Sequence, residues 1–229
     1  MTGGGGGGGN EWDHSNTQYA LLGLGAAKRL GVKVSSKDLY AALDALLAGQ
    51  ESSGPSVDSF SVPAADASWD EIESLAQDLA NARAQASGDP ADDTATRTRA
   101  RSFYSSHPPQ TMQARGWGYV YSGPGNDHPA ASQSHSLQAG NSMTAACVAS
   151  LIVLKSVLGK GRTYERKYAD QVDRAIRDGI AYLARNWTVR DQRHPYYYLY
   201  GLERVGVLSG CFEFGGHDWY SEGAAQLVS

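Results

Sequence analysis

The sequence predicts an all-α fold of paired helices, in which a buried helix is followed by one with a single apolar side. The first pair is 17–30, where nearly every side chain is apolar or small, and 37–49, whose leucines recur at helical spacing. The same order returns at 141–159 and 166–186. A helix that is apolar all round is normally enclosed, whereas one with a single apolar stripe lies at the surface. The pattern therefore predicts an inner and an outer layer of helices.

The first inner helix carries its own start and stop signals. Ser15 and Gln18 fit the capping box, in which a Ser side chain caps the helix and a Gln three residues later bonds back to it. Gly31 provides a natural end. Four apolar side chains of the two inner helices are expected to lie in the core: Leu21, Leu24, Val148 and Leu151.

The outer helices place their apolar residues along one stripe. In 37–49 these residues are Leu39, Leu43, Leu46 and Leu47, and in 166–186 they are Tyr168, Val172, Ile176, Ile180 and Leu183. A third pair is predicted at 196–210 and 218–228. Repeated helix pairs stack into an open solenoid or close into a ring, and the periodicity is compatible with both.

Two segments fall outside this pattern. Residues 1–12 include seven consecutive glycines, and we expect them to form a disordered leader before a single domain at 13–229. Residues 50–112 are rich in Ser, Pro, Asp, Ala and Arg. We interpret them as a low-complexity insertion that is mobile and lies on the surface. Within it a short helix is predicted at 69–84, with Ile72, Leu75 and Leu79 on one side.

Composition and charge indicate what the protein is expected to bind and where it is expected to be located. The 229 residues carry a formal net charge of −4, so we expect no surface for nucleic acid or for an anionic membrane. The longest apolar run, 145–154, is too short to span a bilayer, and no secretory signal pattern is present, which predicts a cytoplasmic location. Cys147 and Cys211 could form one disulfide, but two free thiols are the favoured expectation.

Five short segments, in order along the chain, resemble the prenyltransferase and squalene-oxidase repeats. They are D-x-S-N-T-Q from Asp13, G-W-x-Y from Gly116, S-M-T from Ser142, Y-Y-x-L-Y-x-L-E-R from Tyr196 and G-G-H-D-W-Y from Gly215. The resemblance is to squalene-cyclase-like bacterial proteins in particular. It covers most of the chain outside 1–12 and 50–112.

This resemblance implies an α/α-toroid, in which inner helices surround a central cavity and outer helices enclose them. A closed toroid needs more helices than this sequence predicts, so we expect a partial or half toroid that a second chain or domain completes. A Gln at a helix start could bond free N–H groups there, with a Trp from the Q-x-x-G-W segment stacked beside it. Here that segment is Gln113 to Trp117, and such a joint would link one helix pair to the next.

The resemblance also implies an isoprenoid or similar apolar substrate. We expect no cofactor. Two motifs of the family are missing. The D-x-D-D acid of the cyclases is absent, since 89–93 has the wrong spacing. Protein prenyltransferases bind zinc through Asp, Cys and His, but Cys211, His217 and Asp218 lack the family spacing. We therefore expect no metal, with Asp218 capping the last helix and His217 bonding within a loop.

Three residues are candidate catalytic groups near the mouth of such a cavity: Asp13, His217 and Asp218. Asp13 and His14 could act as an acid/base pair at the start of an inner helix. A helix N-terminus lowers the pKa of a carboxylate, however, which makes Asp13 a poor acid and a reasonable N-cap. The pair His217 and Asp218 precedes the last helix in a similar way.

Aromatic residues suggest two functional hypotheses. A cavity that stabilises carbocations through π faces could be lined by Trp117, Tyr119, Tyr196, Tyr197, Tyr200 and Trp219. The same residues could instead fill the core between helices, which is the favoured interpretation. The chain is then either an isoprenoid-transforming enzyme or a non-catalytic toroid scaffold or protein-binding module. Convergence of His217, Asp218 and the tyrosines on one enclosed apolar pocket would favour the enzyme.

Overall fold

The structure is a computed structural model that describes residues 13–74, 110–119, 138–190 and 194–228, with single positions 77, 81 and 98. The predicted leader at 1–12 and the middle of the predicted insertion, including Leu75 and Leu79, lie outside these residues. The described helices are α1 (His14–Arg29), α2 (Ser36–Gly49), α3 (Pro63–Asp66), α4 (Asn141–Leu158), α5 (Arg162–Lys167), α6 (Ala169–Arg185), α7 (Pro195–Ser209) and α8 (Trp219–Val228). The predicted all-α class is confirmed.

Two short antiparallel strand pairs accompany the helices. Strand β1 (Ser56–Val57) pairs with β2 (Met112–Gln113), and β3 (Glu213–Phe214) pairs with β4 (His217–Asp218). The second pair is a hairpin that turns at Gly215 and Gly216, whose φ angles are 59° and 91°. Such positive angles favour glycine, as expected for this two-residue turn.

Helix α4 lies at the centre of the fold. It packs against α1, α2, α6 and α7, and every residue from Thr144 to Lys155 is buried. The predicted burial of Val148 and Leu151 is confirmed. By length and composition α4 is the one helix among the described residues that could cross a membrane, yet 72% of it is buried within the fold. That degree of burial is typical of the core helix of a soluble protein.

Helix α1 is enclosed on one side only, which corrects the prediction that it is buried all round. Its buried residues are His14, Gln18, Leu21 and Gly25. Gly25 lies so close to α4 that a Cβ there would come within 2.7 Å of Val153 Cγ1. On the opposite side, Tyr19 is 51% exposed and Leu24 is 38% exposed. The predicted burial of Leu24 is wrong because α4 covers only the other side of α1.

The outer helices α2 and α6 each bury one apolar stripe, as predicted. The fully buried members are Leu39, Leu43 and Leu46 on α2, and Val172, Ile176, Ile180 and Leu183 on α6. Gly179 allows α6 to approach its neighbours closely, since a Cβ there would lie 2.4 Å from Val148 Cγ2 and 2.8 Å from the Trp117 ring. Helices α4 and α6 and the Trp117 indole therefore meet at this glycine.

Residues 62–67 of the predicted insertion are packed into the core, so its predicted surface position is wrong for them, whereas most of 51–59 is exposed, as predicted. Five side chains of this segment are buried: Val62, Pro63, Ala64, Ala65 and Ala67. Asp66 of α3 forms an ion pair with Arg177 of α6 at 3.0 Å. Residues 69–74 are helical, as predicted, and Ile72 packs against the core.

A buried lysine joins this segment to α4 and α6. Lys155 Nζ donates hydrogen bonds to the carbonyl oxygens of Ala64 at 2.9 Å and Ala67 at 3.1 Å. It also forms an ion pair with Asp173 Oδ1 at 2.7 Å. A buried ammonium needs such partners because it has lost its hydration. Lys155 thus fixes residues 64–67 against the centre of the fold.

The segment before Trp117 is fastened to the outer helices. Asp178 of α6 accepts hydrogen bonds from Arg115 Nε and from the Gln113 N–H, both at 2.8 Å. Gln50, directly after α2, donates to the carbonyl oxygens of Arg115 and Ala175 at 3.1 Å each. A Gln-and-Trp joint between helix pairs is therefore present. The Gln of this joint is Gln50, which follows the end of a helix and bonds carbonyl groups, whereas a Gln at a helix start that bonds N–H groups was expected.

The predicted third pair is present as α7 and α8. Trp219, the first residue of α8, packs directly against the backbone of α7, since a Cβ on Gly206 would lie 2.1 Å from its ring. The Trp219 indole also donates a hydrogen bond to the carbonyl oxygen of Cys211 at 2.7 Å. Only a residue without a side chain at position 206 permits this packing.

Candidate functional site

Asp13 is the N-cap of α1, the position predicted for Ser15. Its Oδ1 accepts hydrogen bonds from the N–H and hydroxyl of Ser15, at 2.8 and 2.6 Å, and from the Asn16 N–H at 3.3 Å. The Tyr119 hydroxyl donates to Oδ2 at 2.8 Å. The predicted capping box is wrong, because Ser15 lies inside α1 and Gln18 is buried.

These donors hold Asp13 in its ionised form. Partial burial alone would raise the pKa of Asp13, but the hydrogen bonds from Ser15, Tyr119 and the backbone outweigh it, so the pKa is lowered. A general acid needs a carboxyl group whose pKa is raised toward the working pH. The arrangement therefore suits a helix cap and poorly suits a proton donor to an apolar substrate.

His14, the other half of the predicted acid/base pair, is buried in the core. Its Nδ1 donates to the carbonyl oxygen of Gly118 at 2.8 Å, and a Cβ on Gly49 would lie 3.2 Å from its ring. Burial lowers the pKa of His14, although the bond to Gly118 and the charge of Asp13 oppose the shift. The imidazole is therefore a neutral group that links α1 to the Gly118 segment and α2.

The neutral state of His14 makes a pH-dependent prediction. Unfolding releases a histidine that binds a proton near its ordinary pKa of 6.5, while the folded state resists protonation. The unfolded state then binds more protons, so the free energy of unfolding falls as the pH drops from about 7 to about 5. His14→Asn keeps a donor for Gly118 but cannot titrate. Urea unfolding across this range should show a shallower fall for the variant, and equal slopes would contradict a buried neutral His14.

His217 packs in a contact between the β3–β4 hairpin, α8 and the segment after α6. Its ring stacks on Trp187, with centroids 4.8 Å apart and planes 12° from parallel. The Glu222 carboxylate of α8 contacts a ring nitrogen of both His217 and Trp187. Its Oε1 lies 3.3 Å from His217 Nδ1, and its Oε2 accepts a hydrogen bond from Trp187 Nε1 at 2.7 Å. The contact holds α8 against the body of the protein.

Asp218 caps α8, in agreement with the structural role favoured from the sequence. Its two carboxylate oxygens accept hydrogen bonds from the N–H and hydroxyl of Ser221, at 2.9 and 2.8 Å. The Cys211 thiol is buried 3.7 Å from the carbonyl oxygen of Ser61, and burial raises its pKa to about 12. A thiol held in this form is a poor zinc ligand. No group of three or more His, Cys, Asp or Glu within the described residues is placed to hold a metal ion.

The three candidate catalytic residues are engaged in separate local contacts. Asp13 caps α1, Asp218 caps α8, and His217 packs on Trp187. Across the part of the chain that the structure describes, no hydrogen bond, ion pair or ring contact joins Asp13 to His217. The structure therefore gives each of these three residues a local structural partner.

Several aromatic residues predicted as cavity candidates belong to the core or to helix contacts. Trp117 is fully buried, and its Nε1 donates to the carbonyl oxygen of Leu46 at 2.7 Å. Tyr198, between the tyrosines of the same motif, is also fully buried. Trp219 lies between α7 and α8, and Tyr119 is bound to Asp13, as described above. For Trp117, Tyr198 and Trp219 the core-filling interpretation fits the geometry, whereas Tyr119 is 43% exposed.

The remaining tyrosines form a cluster between α1 and α7. Tyr19 stacks on Tyr200 with ring centroids 6.1 Å apart and meets Tyr197 edge-on at 6.3 Å. The Tyr197 hydroxyl donates to Gln18 Oε1 at 3.2 Å, which ties α7 to α1. Tyr196 begins this side of α7 and is 78% exposed. The cluster lies at the surface of the described structure.

Together α1 and α7 present one exposed surface, the α1–α7 face. Its members are Tyr19, Ala20, Gly23 and Leu24 on α1 and Tyr196, Tyr200 and Val207 on α7. Helix α1 carries no Asp, Glu, Lys or Arg before Lys28, and on α7 the adjacent Glu203 and Arg204 form an ion pair with each other. The sequence did not reveal this face, because an exposed apolar helix side has the same composition as a buried one.

Comparisons with protein-family models, with curated proteins and with solved structures find no match to this chain. The resemblance to prenyltransferase and squalene-oxidase repeats thus rests on the five sequence segments and stays a prediction. Four of those segments lie at helix starts, since Asp13 caps α1, Ser142 is in the first turn of α4, Tyr196 is in the first turn of α7 and Asp218 caps α8.

Proposed function

We propose that this chain is a non-catalytic half toroid, a scaffold that binds a protein partner through the α1–α7 face. The order of the helices supports a toroid. Helix α4 packs against both α1 and α7, as neighbouring inner helices do, while α2, α6 and α8 follow them as outer helices. Among the described residues this inner layer consists of α1, α4 and α7, and its two end members, α1 and α7, each have an exposed side.

The exposure of the α1–α7 face carries this proposal. Soluble proteins seldom leave a contiguous apolar patch uncovered, and exposed tyrosines are enriched where protein partners bind. Val207 is 56% exposed on α7, and Tyr19 and Leu24 continue the surface on α1. The face has no uncompensated charge, so its binding energy would come from apolar contact.

The chemistry of the polar candidates argues against catalysis. Protonation of an isoprenoid double bond needs a strong acid held close to an apolar substrate. Asp13 is occupied as a helix cap, and its lowered pKa keeps it ionised. His217 and Asp218 bond to neighbours on α8. The alternative, an enzyme acting on an isoprenoid, would therefore need catalytic groups other than these three.

The binding role of the face can be tested with the apolar dye 1-anilinonaphthalene-8-sulfonate, using dilute protein. The wild type should bind the dye saturably, and the double variant Tyr19→Ser/Leu24→Ser should lose most of the fluorescence. The matched control is Leu30→Ser/Val32→Ser, which removes exposed apolar side chains just after α1 and should leave the signal unchanged. Circular dichroism would verify that all three proteins are folded.

Two results would contradict the proposal. Equal dye binding by the wild type and the Tyr19/Leu24 variant would show that the α1–α7 face is not an apolar binding surface. Formation of product from squalene or farnesyl diphosphate by the wild type would show that the chain is an enzyme.

A further inference from the structure

We propose that the α1–α7 face binds the same face of a second copy of this chain, with α1 crossing α1 of the copy in antiparallel orientation. This inference rests on the proposed function, since it takes that face as the binding surface. It specifies the partner as an identical subunit and the contact as two-fold symmetric. In such a contact the same patch is buried on both subunits.

The exposed side of α1 is complementary to itself. A two-fold axis passing between Leu21 and Leu22 places Ala20 of one copy opposite Gly23 of the other. The same axis places Tyr19 opposite Leu24. Small residues then meet at the centre of the crossing, where two helices approach most closely, and large ones meet on either side. This alternation is what ridges-into-grooves packing requires.

The charges on α1 favour the same arrangement. Its middle carries no Asp, Glu, Lys or Arg, so the crossing opposes no like charges. An antiparallel two-fold contact also opposes the dipoles of the two helices, which is favourable.

A lipid surface is a less suitable occupant. Helices that lie on membranes flank their apolar side with Lys and Arg, which attract anionic headgroups. The basic side chain on α7 beside the face is Arg204, and it is already paired with Glu203. The chain as a whole has a net charge of −4, which opposes binding to an anionic membrane.

Position 23 allows a direct test. A Cβ on Gly23 would have no heavy atom within 4 Å, so the monomer can accept a long side chain there. Sedimentation equilibrium over a wide concentration range should show the wild type changing from the 24.4 kDa monomer to twice that mass. Gly23→Glu and Gly23→Lys should each abolish the dimer, because each places like charges at the crossing. Val32→Glu, an exposed position after α1, should leave the dimer intact.

Mixing the two position-23 variants provides the decisive control. If α1 crosses α1 about this axis, the two positions 23 lie diagonally across it, each opposite Ala20 of the other copy. The carboxylate that Gly23→Glu introduces in one copy can then pair with the ammonium that Gly23→Lys introduces in the other. The mixture should then form a one-to-one heterodimer although neither variant dimerises alone, which a misfolded variant could not do. A wild type that stays monomeric, a Gly23→Glu protein that still dimerises, or a mixture without heterodimer would overturn the inference. A monomeric wild type that binds the dye at the α1–α7 face would leave the proposed function standing with a different partner.

Discussion

Lys155→Met is expected to lower the free energy of unfolding by about 3–5 kcal/mol, the loss typical of breaking a buried ion pair from one side. The ammonium group satisfies Asp173 and the carbonyl oxygens of Ala64 and Ala67. Met has a similar length and fills the space, so the change removes the charge and the donors while keeping most of the packing.

Urea unfolding monitored by circular dichroism measures this effect. Lys160→Met is the matched control, because Lys160 forms exposed ion pairs with Asp70 and Glu73 and should be replaceable with little change in the unfolding free energy. The loss in Lys155→Met should be smaller in acid, where Asp173, whose pKa burial raises, takes up a proton. Equal stability of the Lys155 and Lys160 variants would show that the 62–67 segment is not fixed to α4.

Trp117→Ala should also destabilise the protein strongly, by about 3–5 kcal/mol. The indole is fully buried, fits against Gly179 and donates to the carbonyl oxygen of Leu46, so its removal leaves a cavity between α2, α4 and α6. Trp117→Phe keeps much of the ring and loses the hydrogen bond, and a smaller loss of about 1–3 kcal/mol is expected.

The Trp117 series distinguishes a core residue from one that lines a substrate cavity. Thermal or urea unfolding of the three proteins gives the order wild type, then Phe, then Ala. If Trp117→Ala were as stable as the wild type, the indole would not be filling the core. That result would favour the interpretation in which Trp117 lines a substrate cavity.

Helices α1 and α4 show what an apolar pattern determines and what it leaves open. Both are nearly free of charge along their middle turns, and the pattern predicts burial for both. Val148 and Leu151 are enclosed because α4 has helices on every side, whereas Leu24 is exposed because α1 has α4 on one side only. The pattern shows that a helix can be buried, and the number of neighbouring elements decides how much of it is.

The polar contacts depend on residues far apart in the chain. Lys155 is the only charged residue of α4, and its partners Ala64 and Ala67 lie 91 and 88 positions away, in a segment whose composition suggested a surface loop. The residues near Lys155 in the sequence do not predict its contacts with those carbonyl groups. The outer helices could be predicted because each apolar stripe is a pattern of residues close together in the sequence. The contacts of Lys155 could not be predicted because its partners lie far away in the sequence.

The start of α1 illustrates a choice between two nearby caps. Asp13 and Ser15 are both good N-cap residues, and the sequence pattern around Ser15 matches a capping box. Asp13 is the cap in the structure, and its second carboxylate oxygen is bonded by Tyr119, which lies 106 residues later. Of the two candidates, the N-cap that forms is Asp13, which also bonds to the distant Tyr119. Asp218, with no such competitor, was predicted correctly.

The exposed position of the α1–α7 face is tested most directly by thiol labelling. Both native cysteines, Cys147 and Cys211, are buried and free, so the native wild type should react with no thiol reagent. In dilute solution, Leu24→Cys should label rapidly with one reagent per chain, while Val148→Cys should label only after unfolding. A protected Leu24→Cys, or a Val148→Cys that reacts in the native state, would contradict an enclosed α4 beside an open face of α1.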